Sequence, residues 1–133
     1  MKLLLDTSVL IAYTHDDPET IGRLLTYKAR EVSFSVIVLM EALGTVHYGD
    51  GRPANRDIIR KAALKFPVLP FDAKAAECGA ALFAKHKIRR NEAPVFDGLI
   101  AAHAQSLDVP LAYIDGDFNR FAIKKQLWSR PVA

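Results

Sequence analysis

Met1-Lys2-Leu3-Leu4-Leu5-Asp6-Thr7-Ser8-Val9-Leu10 opens the chain, and the architecture follows from how it is read. Lys2 to Leu5 is a short apolar run of the kind a buried strand shows. Asp6, Thr7 and Ser8 are helix N-cap types, because their side-chain oxygens accept from the free amides of a first helical turn. Val9 to Tyr13 then predicts a short helix. A buried strand passing straight into a helix is the first half of a β-α-β unit.

The alternation continues outward from there. Pro18 to about Arg30 opens with proline at a first-turn position and places Ile21, Leu24, Leu25 and Lys28 at helical spacing. Val32 to Ser35 alternates like a strand. Val36 to about Tyr48 predicts a mostly buried helix capped by Ser35. Pro53 to Phe66 predicts an amphipathic helix with Ile58, Ile59, Ala62, Ala63 and Phe66 inward. Pro67 to Pro70 is a very short strand, and Asp72 caps an Ala-rich helix to about Lys87. After a polar loop to Glu92, Pro94 starts a helix carrying Leu99, Ile100 and His103 and ending near Leu107. Leu111 to Ile114 is a strand that ends in Asp115-Gly116-Asp117, and Gln126 to Trp128 is a last edge strand. Strands separated by helices imply right-handed crossovers, hence an α/β fold with a parallel sheet and helices on both faces. Such sheets bind ligands outside the carboxyl ends of their strands, where strand order reverses.

Composition narrows the function. The 133 residues carry 18 Lys and Arg against 15 Asp and Glu. With half the residues apolar, they are expected to form a single domain over 1–133. The single Cys78 excludes an intramolecular disulfide framework and a multi-cysteine zinc site. No apolar run approaches the ~20 residues of a membrane span. Asp6 interrupts the opening run before it can form a signal-peptide core, so a cytoplasmic protein is expected. The first fifty residues hold four bases against seven acids, and the remainder fourteen against eight. A basic second part fits a polyanionic partner and equally a solvated surface.

Four acids stand where a ligand would bind. Asp6 and Asp115 end strands, while Glu41 and Asp97 sit inside apolar helical stretches. Each has an ordinary alternative. Asp6 can cap a helix, Glu41 can point outward to a base, Asp97 can favour a helix dipole, and Asp115-Gly116 can form a turn. Convergence of all four demands a cation, because two carboxylates roughly 5 Å apart repel by about 3 kcal/mol at an effective dielectric of about 20. All-oxygen ligation favours Mg²⁺ or Mn²⁺. Other chemistries lack their residues. There is no GxxxxGK[ST] or GxGxxG, and the four histidines have no zinc-ligand spacing. Asp115-x-Asp117-x-Asn119 starts like a calcium loop, but Arg120 stands where glycine is needed. A haloacid-dehalogenase-like phosphatase wants a second Asp where Ser8 stands.

The sequence resembles the PIN-domain ribonucleases, and among them the VapC toxins of toxin–antitoxin pairs. The likeness lies in Leu3-Leu4-Leu5-Asp6-Thr7-Ser8-Val9-Leu10-Ile11, in Ser35 six residues before Glu41-Ala42-Leu43, in Phe96-Asp97-Gly98-Leu99-Ile100-Ala101-Ala102, and in Leu111-Ala112-Tyr113-Ile114-Asp115-Gly116-Asp117-Phe118. It spans nearly the whole chain. It implies a five-stranded parallel sheet, a homodimer, one or two divalent metals and endonucleolytic cleavage of RNA. By resemblance Asp6, Glu41 and Asp97 match the family's invariant acids. Asp115 matches a fourth, more variable one, and Asp117 an outer acid acting through water. Tyr113 departs from the family, which usually carries Thr or Ser there as a small hydroxyl supporting the metal site. The resemblance also implies a cognate VapB-like antitoxin, expected to wrap the helices near Pro18–Arg30 and Val36–Tyr48.

Grip on RNA is expected from two basic tracts. One holds Lys85, Lys87, Arg89 and Arg90, and the other holds Arg120, Lys124 and Lys125. Phosphate contacts of this kind give affinity without sequence choice. Tyr13, Tyr48, Phe118 and Trp128 are candidate rings for stacked bases, with core packing the expectation for most of them. Two rival functions remain open at this point. A degenerate PIN module would bind RNA without cutting it. A phosphoacceptor signalling domain would want an acid pair directly after the first strand, whereas Asp16-Asp17 falls ten residues past Asp6.

Overall fold

Three leucines, Leu3 to Leu5, are wholly buried as strand β1 at the centre of a parallel sheet. The structure, a computed structural model, describes residues 1–49, 51–89, 95–114 and 116–128. From β1 the chain passes through helices α1 (Thr7–Thr14) and α2 (Pro18–Leu24) to strand β2 (Val32–Ser35). Helices α3 (Val36–Tyr48) and α4 (Pro53–Lys65) lead to the two-residue strand β3 (Val68–Leu69). Then come α5 (Ala73–His86), α6 (Val95–Leu107), β4 (Leu111–Tyr113) and β5 (Lys125–Leu127).

Five parallel strands lie in the order β3-β2-β1-β4-β5. The chain steps one way from β1 to β3 and the other way from β4 to β5, so the order reverses between β1 and β4. Right-handed crossovers then place α1 to α4 on one face and α5 and α6 on the other. The packing agrees, since α1 lies against α2, α3 and α4 while α5 lies against α6. The core between the layers is Leu3–Leu5, Phe34, Ile100 and Leu111, closed at one side by Phe118, Phe121 and Trp128. Among the described residues no helix is long and apolar enough to cross a membrane.

Local chemistry accounts for the helix starts. Ser35 accepts from the Ile37 amide at 3.1 Å to open α3, and Asp72 accepts from the Ala75 amide at 2.9 Å to open α5. Lys87 closes α5 in the left-handed region, with φ +54°.

Two expectations need correction, and a third is decided. The helix from Pro18 ends at Leu24 instead of near Arg30: the Thr26 hydroxyl donates to the Arg23 carbonyl at 2.7 Å, and Leu25 is 79% exposed, so nothing apolar holds a further turn. Ile58 faces outward from α4, while Ile59 and Ala62 carry its buried face. Of the candidate rings, Trp128 and Phe118 pack in the core, as expected for most of them, and offer no face to a base. The Trp128 amide donates to the Tyr113 carbonyl at 2.7 Å, and Arg23 lies 5.8 Å from its ring centroid.

Candidate functional site

Asp6 leaves the sheet at the reversal point. Its amide still donates to the Ala112 carbonyl of β4 at 2.9 Å, the last rung between the two strands. Its side chain, 2% exposed, is the N-cap of α1 and accepts from the Ser8 amide at 3.4 Å and from the Ser8 hydroxyl. The capping alternative therefore holds, yet it does not exhaust the residue's surroundings. Burial pushes the Asp6 carboxyl up to about 6, and the charge of Glu41 adds to that rise against the hydrogen bonds from residues 7 and 8. A carboxylate dried by burial and faced by a like charge is the electrostatic state that a cation relieves.

Glu41 reaches this neighbourhood from the second turn of α3, whose N-terminus is set by Ser35 at the carboxyl end of β2. Thr7 donates its hydroxyl to Glu41 Oε1 at 2.9 Å, bridging the first turn of α1 to α3. Asp97 stands in the first turn of α6 and is half-buried. Because α6 ends at Leu107 just before β4 begins, it runs antiparallel to the strands, which brings its first turn to their carboxyl ends. Contact with α5 fixes that turn closely: a Cβ built on Gly98 would lie 2.5 Å from Phe83 Cε1.

The structure brings Asp6 and Glu41 together and sets Asp97 at the same end of the sheet. Among the described residues no three of His, Cys, Asp and Glu stand grouped as metal ligands. Asp115 lies outside the described residues, as does the side chain of Asp117. The backbone leading to Asp115 is held nonetheless, since the Ile114 amide donates to the Ser8 hydroxyl at 3.4 Å. Tyr113 is buried and its hydroxyl donates to Asn119 Oδ1 at 2.6 Å, so the ring sits inside the fold and does not roof the site. The donors here are carboxylate and hydroxyl oxygens, a set that fits a hard divalent cation such as Mg²⁺ or Mn²⁺.

The basic residues divide. α5 runs antiparallel to α6, with Phe71 beside His103 at 5.5 Å and Phe83 against Gly98. Lys85, Lys87 and Arg89, at and just past the end of α5, therefore lie at the end of the molecule that carries Asp97; Arg90 lies outside the described residues. Arg120 is exposed, its guanidinium 5.5 Å from the Phe121 ring centroid. Lys124 is not brought to the acids. It precedes β5 at the amino edge of the sheet and pairs with Asp108 at 2.7 Å.

Sequence reasoning missed Thr7 and Ser8 as holders of the acids. Their adjacency to Asp6 was the available signal, but helix capping explained both and hid the longer contacts.

A family model described as PIN domain matches residues 3–124. The comparison with curated proteins finds no match. Among solved structures, DNA-bound VapBC from Salmonella typhimurium aligns with a TM-score of 0.85 at 23% identity, covering 96% of this chain and 98% of that one. VapBC2 from Rickettsia felis, bound to a promoter DNA fragment, aligns at 0.82 and 21% identity over 97% of this chain and 100% of that one. VapC20 from Mycobacterium tuberculosis, described as a Sarcin-Ricin loop cleaving toxin, aligns at 0.68 and 22% identity over 98% of this chain and 100% of that one. Likeness at these identities is a likeness of fold.

Proposed function

We propose that this chain, which belongs to the PIN domain family, is a metal-dependent endoribonuclease that serves as the toxin of a VapBC-like pair. The observation that carries the reading is Asp6, a buried carboxyl raised to about 6, beside Glu41 at the point where strand order reverses. That is where a parallel α/β sheet holds its ligand. VapBC complexes and a toxin that cleaves the Sarcin-Ricin loop among the structural neighbours support it further.

In this reading Asp6, Glu41, Asp97 and Asp115 hold Mg²⁺ or Mn²⁺, with Asp117 acting through water. The bound cation supplies an activated water and neutralises charge on the phosphodiester. Thr7 orients Glu41, and Ser8 orients Asp6. Lys85, Lys87, Arg89, Arg90 and Arg120 grip the RNA backbone, which gives affinity without sequence choice. Lys124, tied to Asp108, has no part in that grip. Cleavage leaves 5′-phosphate and 3′-hydroxyl ends. Tyr113, turned into the fold, does not block the acids, and its hydroxyl, held by Asn119, does not replace the small hydroxyl on which the reading of a module that binds RNA without cutting it turns.

A VapB-like antitoxin is the proposed partner, as in the neighbouring VapBC complexes. Leu25, Met40 and Tyr48 are exposed apolar side chains on the segments it would cover. A basic side chain from that partner would compete with the cation for the acids. A homodimer and a single domain spanning 1–133 belong to the same proposal.

The test is cleavage of structured RNA by purified protein with Mg²⁺ or Mn²⁺, with EDTA added, and with Glu41→Gln. The expected result is metal-dependent cutting, abolished by chelator and reduced by at least a hundredfold in Glu41→Gln. Cutting that survives both treatments would remove the acids from the reaction.

A further inference from the structure

The two basic tracts lie far apart in sequence, yet one buried ring touches both. Phe121 is wholly buried directly after the 3₁₀ turn Gly116–Arg120. The Arg120 guanidinium lies over that ring, 5.5 Å from its centroid. The His86 ring meets it edge-on at 5.2 Å, with the planes at 83°. His86 is the last residue of α5 and Lys87 is its cap. The end of α5 and the 3₁₀ turn are therefore packed together through Phe121, and the cations they carry are neighbours on the surface.

The other cations of the second tract are engaged elsewhere. Lys124 pairs with Asp108 at 2.7 Å. The Lys125 ammonium donates to the Phe121 carbonyl at 2.5 Å, which fixes the chain at the ring. Lys87 and Arg120 are both exposed, and among the described residues neither is paired with an acid.

Lys87 also holds a conformation that a lysine rarely adopts. It closes α5 at φ +54°, its amide donating to the Ala84 carbonyl at 3.2 Å and the next amide, of Ile88, to the Phe83 carbonyl at 2.9 Å. Glycine is the usual residue at such a helix ending, because a Cβ is strained there. The packing on either side enforces it, with His86 against Phe121 and Ile88 buried in the core. Strain kept at an exposed cation is strain that stability alone does not select. Arg120 is prepared in another way. A guanidinium laid on a ring has its planar fork oriented in advance, so less freedom is lost when it meets a phosphate.

We propose that Lys87 and Arg120 form a single phosphate-binding subsite for the RNA backbone, with His86 and Phe121 as the positioning residues that hold the two cations together. This rests on the nuclease reading above, and it joins two tracts that are separate in that reading. Such a subsite gives affinity and register without sequence choice.

The test is titration of the protein with a 5′-phosphorylated RNA trinucleotide in EDTA, followed by NMR of the backbone amides. So short a ligand cannot serve two distant tracts at once. In wild type the Lys87 and Arg120 amides are expected to shift along one isotherm. Arg120→Gln is expected to weaken the isotherm read at Lys87 by about threefold or more, and Lys87→Gln the one read at Arg120. Lys87→Gly is expected to raise the melting temperature while weakening the trinucleotide as much as Lys87→Gln does, a pairing that a purely structural Lys87 would not give. His86→Ala is expected to weaken binding at both reporters, and His86→Phe, which keeps a ring against Phe121, to restore it. Both glutamine variants alter exposed side chains and are expected to fold. An isotherm at Lys87 that is unchanged by Arg120→Gln overturns the shared subsite and leaves the nuclease reading to the cleavage assay. Wild-type protein that cuts RNA with Mn²⁺ but shows no shift at either residue also overturns the subsite alone. Wild-type protein that neither cuts RNA nor binds the trinucleotide overturns both.

Discussion

Asp6 shows at the scale of one residue how a site is held against stability. Its carboxyl titrates near 6 in the fold, against 3.8 for an ordinary aspartate. A raised carboxyl contributes stability that is fully present below its unfolded value and is lost as pH rises through the folded one. The metal-free protein is therefore expected to lose up to about 3 kcal/mol between pH 4 and 7 on account of Asp6. His103 works in the opposite direction. Burial lowers its pKa against a smaller opposing effect of Asp72, so its contribution is lost as pH falls below the ordinary histidine range. Asp6→Asn removes the charge and keeps the shape. At pH 7.5 it is expected to raise the melting temperature of the metal-free protein while abolishing cleavage, as read by thermal denaturation beside an RNA assay. A lower melting temperature would make Asp6 a cap and nothing more.

A helix contact places Asp97. α5 approaches α6 so closely at Gly98 that a methyl group there would stand 2.5 Å from the Phe83 ring. Gly98→Ala is expected to cost about 1–3 kcal/mol by overpacking and to reduce cleavage by displacing the turn that bears Asp97. Phe83→Leu in the same chain is expected to recover most of the stability, a coupling that urea denaturation of the double-mutant cycle measures. The end of α5 also brings cations to the site. Neutralising Arg89 and Arg90 is expected to weaken RNA binding for all sequences and to lower the slope of log affinity against log salt. Mn²⁺ affinity should stay level. An unchanged slope in filter binding would return these residues to the solvated surface.

Across the whole molecule, the strand order turns local chemistry into a site. Strand order reverses between β1 and β4, the place where a parallel α/β sheet holds its ligand, and no single element contains that reversal. A nuclease built there harms its host unless another chain controls it. Expression of this chain alone is expected to arrest growth, with relief by Asp97→Asn or by co-expression of its antitoxin. Equal growth with wild type and Asp97→Asn, at matched soluble expression, would count against the toxin role while leaving the nuclease role to the RNA assay.

The elements and their order are legible in the amino acids, because strand burial, Asp and Ser caps and proline starts act over a few residues. Leu3–Leu5, the Ser35 cap and the Asp72 cap could be read for that reason. Asp6, Glu41 and Asp97 stand out in the same way, since a carboxylate amid apolar residues is costly unless something compensates. Other features exist only once the chain is folded: Thr7 reaching Glu41, Ser8 reaching Ile114, Tyr113 turning to Asn119, and Lys124 lying at the far edge of the sheet. Those contacts join residues through strand order and helix crossing, and no local periodicity encodes a hydrogen bond spanning 34 or 106 positions. The early end of α2 and the outward Ile58 escaped for a related reason. Propensity proposes a helical face, but the neighbour that packs against it decides which residues are buried.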